Sequence, residues 1–267
     1  MSDVRKTALI TGASEGLGAE FARLFAERGH NLALVARRLD RLDALADEIA
    51  AGGRPRPLAI ALDLGAPDAP ARLAEALRQA GGRVEYLVNN AGYGLNGPFA
   101  DLPIDDQLAM IDLNVRSLTA MAHAFLPDLR ETHGGMLNVA SIAAFAPGPG
   151  MAVYYATKAY VLSFSQALAE ELKGARVRVS ALCPGPVATG FQARAGMSGK
   201  ALVQQSGVAS ARETVEAGYA GLMAGRRVVT PGIVNRGLAA ALAWTPRRFL
   251  LPQLAERQAR RMGGPEK

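Results

Sequence analysis

The chain has 267 residues, 49% of them hydrophobic and 20% charged, with a formal net charge of +6. This composition excludes disorder and supports one substantial core, so a single domain over residues 1–267 is expected. No run approaches about 18 uninterrupted apolar residues, and with no spanning helix or signal peptide to read, a soluble, cytoplasmic protein is expected. The single cysteine, Cys183, and the scattered His30, His123 and His133 form no metal-ligand spacing, so no metal is expected. The arginines are dispersed, without an aromatic-interleaved basic strip, and nucleic acid is not expected as a partner.

In chain order, short apolar runs alternate with amphipathic ones. Strands are predicted over 7–11, 31–36, 58–63, 86–90, 136–140 and 177–182, near-continuously apolar as suits burial on both faces of a parallel sheet. A helix over 19–29 aligns Phe21, Leu24 and Phe25 on one stripe and stops at Gly29. Longer helices are predicted over 104–132 and 151–173. The alternation predicts an α/β fold, a single Rossmann-type doubly wound parallel sheet with helices on both faces. A tail over 233–262 reads as helical, interrupted by Pro246 and Pro252.

Two features carry chemistry. After the first strand, T-G-A-S-E-G-L-G spans Thr11 to Gly18. Gly12 permits the tight turn, Gly16 allows backbone amides to approach a pyrophosphate, and Gly18 brings the helix close to the sheet. Further on, Tyr154 and Lys158 stand one helical turn apart, with Ser141 upstream. A phenol works as a proton donor or acceptor at neutral pH only if a cation lowers its pKa from about 10, and an (i, i+4) lysine is placed to do so. That change needs about 4 kcal/mol, on the order of one unit charge at ~4 Å in an effective dielectric of ~20. Together the two features point to hydride transfer.

With Asp63, N-N-A-G at Asn89–Gly92, Asn114 in D-L-N-V, and P-G at Pro184–Gly185 followed by Thr189, these motifs resemble the short-chain dehydrogenase/reductase family along nearly the whole chain. The branch of hydroxysteroid dehydrogenases and long-chain ketoacyl reductases is the most similar. The resemblance implies Tyr154 as general acid or base, with Tyr155 a packing aromatic, and Ser141 as hydrogen-bond partner of the substrate oxygen. It implies Lys158 as modulator of the phenol and holder of the nicotinamide ribose. Asn114 would disturb its helix and hold a water behind the lysine, while Asn89 braces the central strands. For the cofactor it implies Gly12, Ser14, Gly16, Leu17 and Gly18 at the phosphates, Asp63 and Leu64 at adenine, Asn90, Ala91 and Gly92 along the ribose, and Pro184, Gly185, Val187 and Thr189 at the nicotinamide.

The second strand ends in Ala36, Arg37 and Arg38, where an NAD site presents a carboxylate to the ribose 2′-hydroxyl, so NADP is expected over NAD. Glu15 stands against this, since its charge does not help a nearby phosphate. Tyr93, Leu95, Ile142, Ala143, Phe145, Met151, Phe191 and Met197 are mostly apolar candidates for the substrate pocket, under a lid over 188–207. A hydrophobic ketone or secondary alcohol is the expected substrate, and a non-catalytic nucleotide-sensing protein on the same fold is the alternative. Trp244, Phe249, Leu250 and Leu251 beside basic residues call for cover by a subunit contact in a homodimer or homotetramer, by the protein's own domain, or, less expected, by a membrane surface.

Overall fold

Strand side chains alternate between two faces, and here both faces are buried. In the computed structural model, residues 4–187 and 209–261 are described, with side chains as far as Glu256. The strands β1 (Arg5–Thr11), β2 (Asn31–Ala36), β3 (Leu58–Ala61), β4 (Gly82–Asn89), β5 (Gly135–Val139), β6 (Arg178–Leu182) and β7 (Val228–Val229) form one parallel sheet in the order β3-β2-β1-β4-β5-β6-β7. Ala8 and Ile10 of β1 join one core, with Phe21, Leu24 and Phe25 of α1 (Gly16–Glu27) and Leu42, Leu45 and Ile49 of α2 (Leu39–Ala51). Leu9, between them in sequence, joins the other core. That core holds Leu73 of α3 (Ala69–Gln79) and Met121, Phe125 and Leu129 of α5 (Leu118–Thr132). Each large apolar side chain so buried contributes about 1.5–3 kcal/mol.

The predicted helix over 104–132 is one run of three parts: α4 (Ile104–Ile111), a π-helical segment (Asp112–Ser117) and α5. The predicted helix over 151–173 is α6 (Ala152–Glu171) followed by a 3₁₀ turn. Later come α7 (Ala211–Met223), α8 (Ile233–Trp244) and α9 (Arg247–Arg261). The tail breaks at Thr245–Pro246 as predicted. Pro252, expected to interrupt it as well, lies inside α9, which forgoes one N–H donor and continues. No helix among the described residues is long and apolar enough to cross a membrane.

A buried polar chain fixes α6 against the sheet. Asn89 of β4 donates to the Asn138 side-chain oxygen of β5 at 2.9 Å, and Asn138 donates to Ser165 Oγ of α6 at 2.9 Å. Ser165 in turn donates to the Val161 carbonyl at 2.6 Å. Unpaired, such groups would each cost about 1–3 kcal/mol, so the chain admits one register of α6 on β4 and β5. Asn89 therefore braces the central strands.

Candidate active site

The strand order reverses between β1 and β4, which opens a crevice at the carboxyl ends of these strands. Thr11 locks its floor. The Thr11 hydroxyl donates to the Val88 carbonyl at 3.1 Å and accepts from the backbone N–H of Asn90 and Ala91 at 2.9 and 3.0 Å. The Asn90 side chain returns a bond to the Thr11 carbonyl at 2.9 Å. A Cβ on Gly18 would sit 2.2 Å from the Gly12 carbonyl, so only glycine lets α1 start this close to the strand. The first turn of α1 carries no acidic residue and no side-chain cap, which leaves its N–H groups, beside Gly12, Ser14, Gly16 and Leu17 in the cleft wall, suited to a pyrophosphate.

Along the same cleft lie Arg37 and Arg38 after β2, Asp63 and Leu64 after β3, Asn90, Ala91 and Gly92 after β4, and Pro184, Gly185 and Val187 after β6. Asp63 Oδ1 accepts from the Gly65 N–H at 2.9 Å, and the Pro184 carbonyl accepts from Ile142 N–H at 2.9 Å. These residues, strung from a basic end at Arg37 to Lys158, fit an extended dinucleotide such as NADP or NAD. Thr189, Phe191, Met197 and the predicted lid lie outside the described residues.

At the far end Ser141, Tyr154 and Lys158 meet. Ser141 caps a 3₁₀ turn (Ile142–Phe145), its hydroxyl accepting from Ala143 N–H at 3.1 Å, and the Tyr154 phenol hydrogen-bonds to it. Lys158 donates to the Val139 carbonyl at 2.8 Å. Burial pushes the Tyr154 phenol above its ordinary value, partly offset by Ser141, and draws Lys158 down to about 8. The expectation that Lys158 lowers the phenol is therefore corrected. The ammonium donates to the Val139 carbonyl and lies 5.9 Å from the phenol ring centre, and desolvation is the largest cause of both shifts.

Asn114 lies buried in the π-helical segment. Its side chain accepts from Tyr93 N–H at 3.1 Å and donates to the Tyr93 carbonyl at 2.9 Å and to Thr157 Oγ1 at 3.1 Å. A Cβ on Gly92 would lie 2.8 Å from Asn114 Oδ1 and 3.6 Å from Lys158 Nζ, so this approach too requires glycine. Asn114 thus ties the loop after β4 to α6 through the helix disturbance expected of it.

Tyr93, Leu95, Ile142, Ala143 and Met151 line the cleft near Tyr154. Phe145 does not. The 3₁₀ turn directs Ile142 and Ala143 to the cleft, whereas Ala144 and Phe145 pack on Leu118, Ala140, Val161 and Leu162. Tyr155, read as a packing aromatic, also lines the cleft, its ring lying where a Gly148 Cβ would be 2.4 Å away. Sequence reasoning missed Asn235, Leu238, Leu242 and Leu250, through which α8 and α9 form part of the wall. The apolar character of the tail was visible, but not its target.

A parallel sheet with a glycine-rich turn at its switch point and a serine, tyrosine and lysine at the end of the cleft defines a dinucleotide-dependent oxidoreductase. The sequence pattern of the short chain dehydrogenase family matches residues 6–198, and the chain belongs to that family. It is 41% identical to sulfoacetaldehyde reductase 2 of Chromohalobacter salexigens, covering 72% of this chain and 75% of that one. A short-chain dehydrogenase from Sphingobium yanoikuyae, solved in complex with NADPH, superposes with a TM-score of 0.79 at 36% identity, over 92% of this chain and 95% of that one. The bulky-bulky ketone specific alcohol dehydrogenase from Comamonas testosteroni superposes with a TM-score of 0.75 at 29% identity, over 99% and 96%.

Proposed function

We propose that the protein is an NADP(H)-dependent oxidoreductase interconverting a hydrophobic ketone and its secondary alcohol, with Ser141, Tyr154, Lys158 and Asn114 as its catalytic group. The observation that carries the reading is the hydrogen bond between Tyr154 and Ser141 in the cleft wall, since the two hydroxyls converge where a substrate oxygen can accept from both. A nicotinamide cofactor held in the cleft would supply hydride chemistry at the substrate carbon, and the protein's own residues manage the proton on the oxygen. Burial keeps the Tyr154 phenol protonated at neutral pH, so it stands ready as the donor for reduction. Ser141 stabilises negative charge building on the substrate oxygen. Lys158, held by the Val139 carbonyl in the cleft wall, would hold the ribose of a bound nicotinamide cofactor. Asn114 acts by position, tying Tyr93 of the loop after β4 to Thr157, the residue before the lysine on α6.

Ala36, Arg37 and Arg38 favour a 2′-phosphate over a 2′-hydroxyl, a reading that the NADPH-bound relative supports. The wall from Ile142 and Met151 to Leu238, Leu242 and Leu250 is apolar, and Lys158 is committed to Val139. This favours a neutral ketone over an anionic aldehyde, and the ketone-specific relative supports it. Ile104, Leu108, Ile111 and Tyr160 leave apolar surface on α4 and α6, which supports a homodimer or homotetramer, to be checked by light scattering.

The test is NADPH oxidation against a panel of hydrophobic ketones and small anionic aldehydes. Turnover of hydrophobic ketones is expected. Turnover of the anionic aldehydes alone would overturn the substrate reading, and tight NADPH binding without any turnover would favour a nucleotide-sensing protein instead.

A further inference from the structure

Leu242 stands in the last turn of α8, and the residue whose N–H would take its carbonyl, four further on, is Pro246, which has none. Phe145 ends the 3₁₀ turn, so its carbonyl also lacks a continuing helix. Arg247 serves both. Its Nη1 and Nη2 each donate to the Phe145 carbonyl at 3.2 Å, and Nη1 also donates to the Leu242 carbonyl at 3.1 Å. A guanidinium suits this place, since its donors form a rigid fork and its charge faces the carbonyl end of α8.

The elements so joined all contribute to the cleft. The 3₁₀ turn, capped by Ser141, supplies Ile142 and Ala143. Leu250 and Leu254 follow Arg247 at helical spacing on α9, and both line the cleft. Leu250 is 8% exposed and Phe249 55%, so α9 turns one edge inward. Among the described residues Leu250 is the one buried apolar side chain of α9, and so little apolar burial holds a helix weakly.

We infer that Arg247 is a specificity-determining positioning residue, which pins α9 to the turn that begins at Ser141 and so holds Leu250 and Leu254 as the far wall of the substrate site. The inference rests on the ketone reading above and deepens it. The protein then selects ketones whose larger substituent is apolar and reaches from Ile142 to that wall. Such a substituent gains affinity by leaving water only where the wall stays in contact with it. A loosened α9 therefore costs a bulky ketone its contacts and a small one little.

The test is steady-state reduction of propiophenone and of acetone with NADPH, together with amide hydrogen exchange of α9 in the full chain. Arg247→Ala is expected to raise KM for propiophenone about tenfold, with kcat within about threefold, and KM for acetone about twofold or less. Arg247→Lys keeps the charge but lacks the fork, and should limit the rise for propiophenone to about threefold. In a Leu250→Ala background, Arg247→Ala should add less than about twofold, because the two residues act through one wall. Exchange in α9 should be several-fold faster in Arg247→Ala while the strands keep their protection. Equal rises for both ketones, an unchanged KM ratio, full additivity with Leu250→Ala, or unchanged exchange in α9 would overturn the inference. Should Arg247→Ala fold poorly, Arg247→Lys carries the same comparisons. If the wild-type protein reduces neither ketone, the ketone reading fails and the selection of substrates falls with it, while the exchange measurement alone decides whether Arg247 pins α9.

Discussion

Lys158 and Tyr154, one turn apart on α6, are both buried, and the lysine ammonium lies 5.9 Å from the tyrosine ring centre while it donates to the Val139 carbonyl at 2.8 Å. Desolvation therefore disfavours the charged form of each. For Lys158 the folded value, about 8, lies below the ordinary 10.5. Below pH 8 the fold carries a buried cation that the unfolded chain keeps in water, and this cost is relieved as the pH rises from about 8 towards 10.5. The stability advantage or deficit of Lys158→Met relative to wild type, from urea unfolding, should thus shift in favour of wild type by about 2–3 kcal/mol between pH 7 and 10. A pH-independent difference would show that the ammonium does not titrate in this range.

Tyr154→Phe removes the donor and leaves the packing of α6 intact. Turnover is expected to fall at least a thousandfold, the upper range for a positioned acid, with NADPH affinity nearly unchanged. Tyr155→Phe should remain active, since its hydroxyl is not the one bonded to Ser141. Equal loss in both variants would reassign the acid.

Asn114→Ala strips partners from the Tyr93 N–H and carbonyl and from Thr157 in a closed interior. The expected cost is about 2–4 kcal/mol, read as a lower urea midpoint with an unchanged slope. Activity should fall further than stability explains, because the loop bearing Gly92 is released from the lysine.

Arg37→Ala should weaken NADPH binding about ten- to a hundredfold while NADH changes little. Equal losses for both cofactors, measured by calorimetry, would make Arg37 a structural residue.

Leu242 of α8 belongs to the apolar wall near the reacting end of the cleft. Leu242→Ala should raise KM for a bulky ketone about tenfold, as expected for lost apolar contact, and leave a small ketone within about twofold. Steady-state kinetics on the two substrates decides it, and parallel changes in both would place Leu242 in folding rather than substrate contact.

Much of this was legible in residues close together in the chain. The period-two burial that sends Ile10 to one core and Leu9 to the other is written in an apolar run, and the Tyr154–Lys158 spacing on a helix is a local fact. Thr11 to Gly18 announces its turn because backbone geometry there tolerates few residue types. β7, only Val228–Val229, has no period to read and exists because β6 offers an open edge.

What only the tertiary structure decided depends on groups distant in sequence. The π-helical segment looks like ordinary amphipathic helix until Asn114 is seen bonded to Tyr93 and Thr157. Asn235 gives no local sign that Gly185 must lack a side chain, although a Cβ there would lie 2.4 Å from the asparagine oxygen. The lysine-to-tyrosine spacing fixed which groups meet, but burial by the surrounding elements set their proton affinities. Sequence likewise placed Glu15 and Arg38 in separate motifs, and the close approach of β1 and β2 made them an ion pair. Local patterns determine which conformations a segment favours, whereas desolvation and long-range hydrogen bonds exist only once the chain has closed on itself.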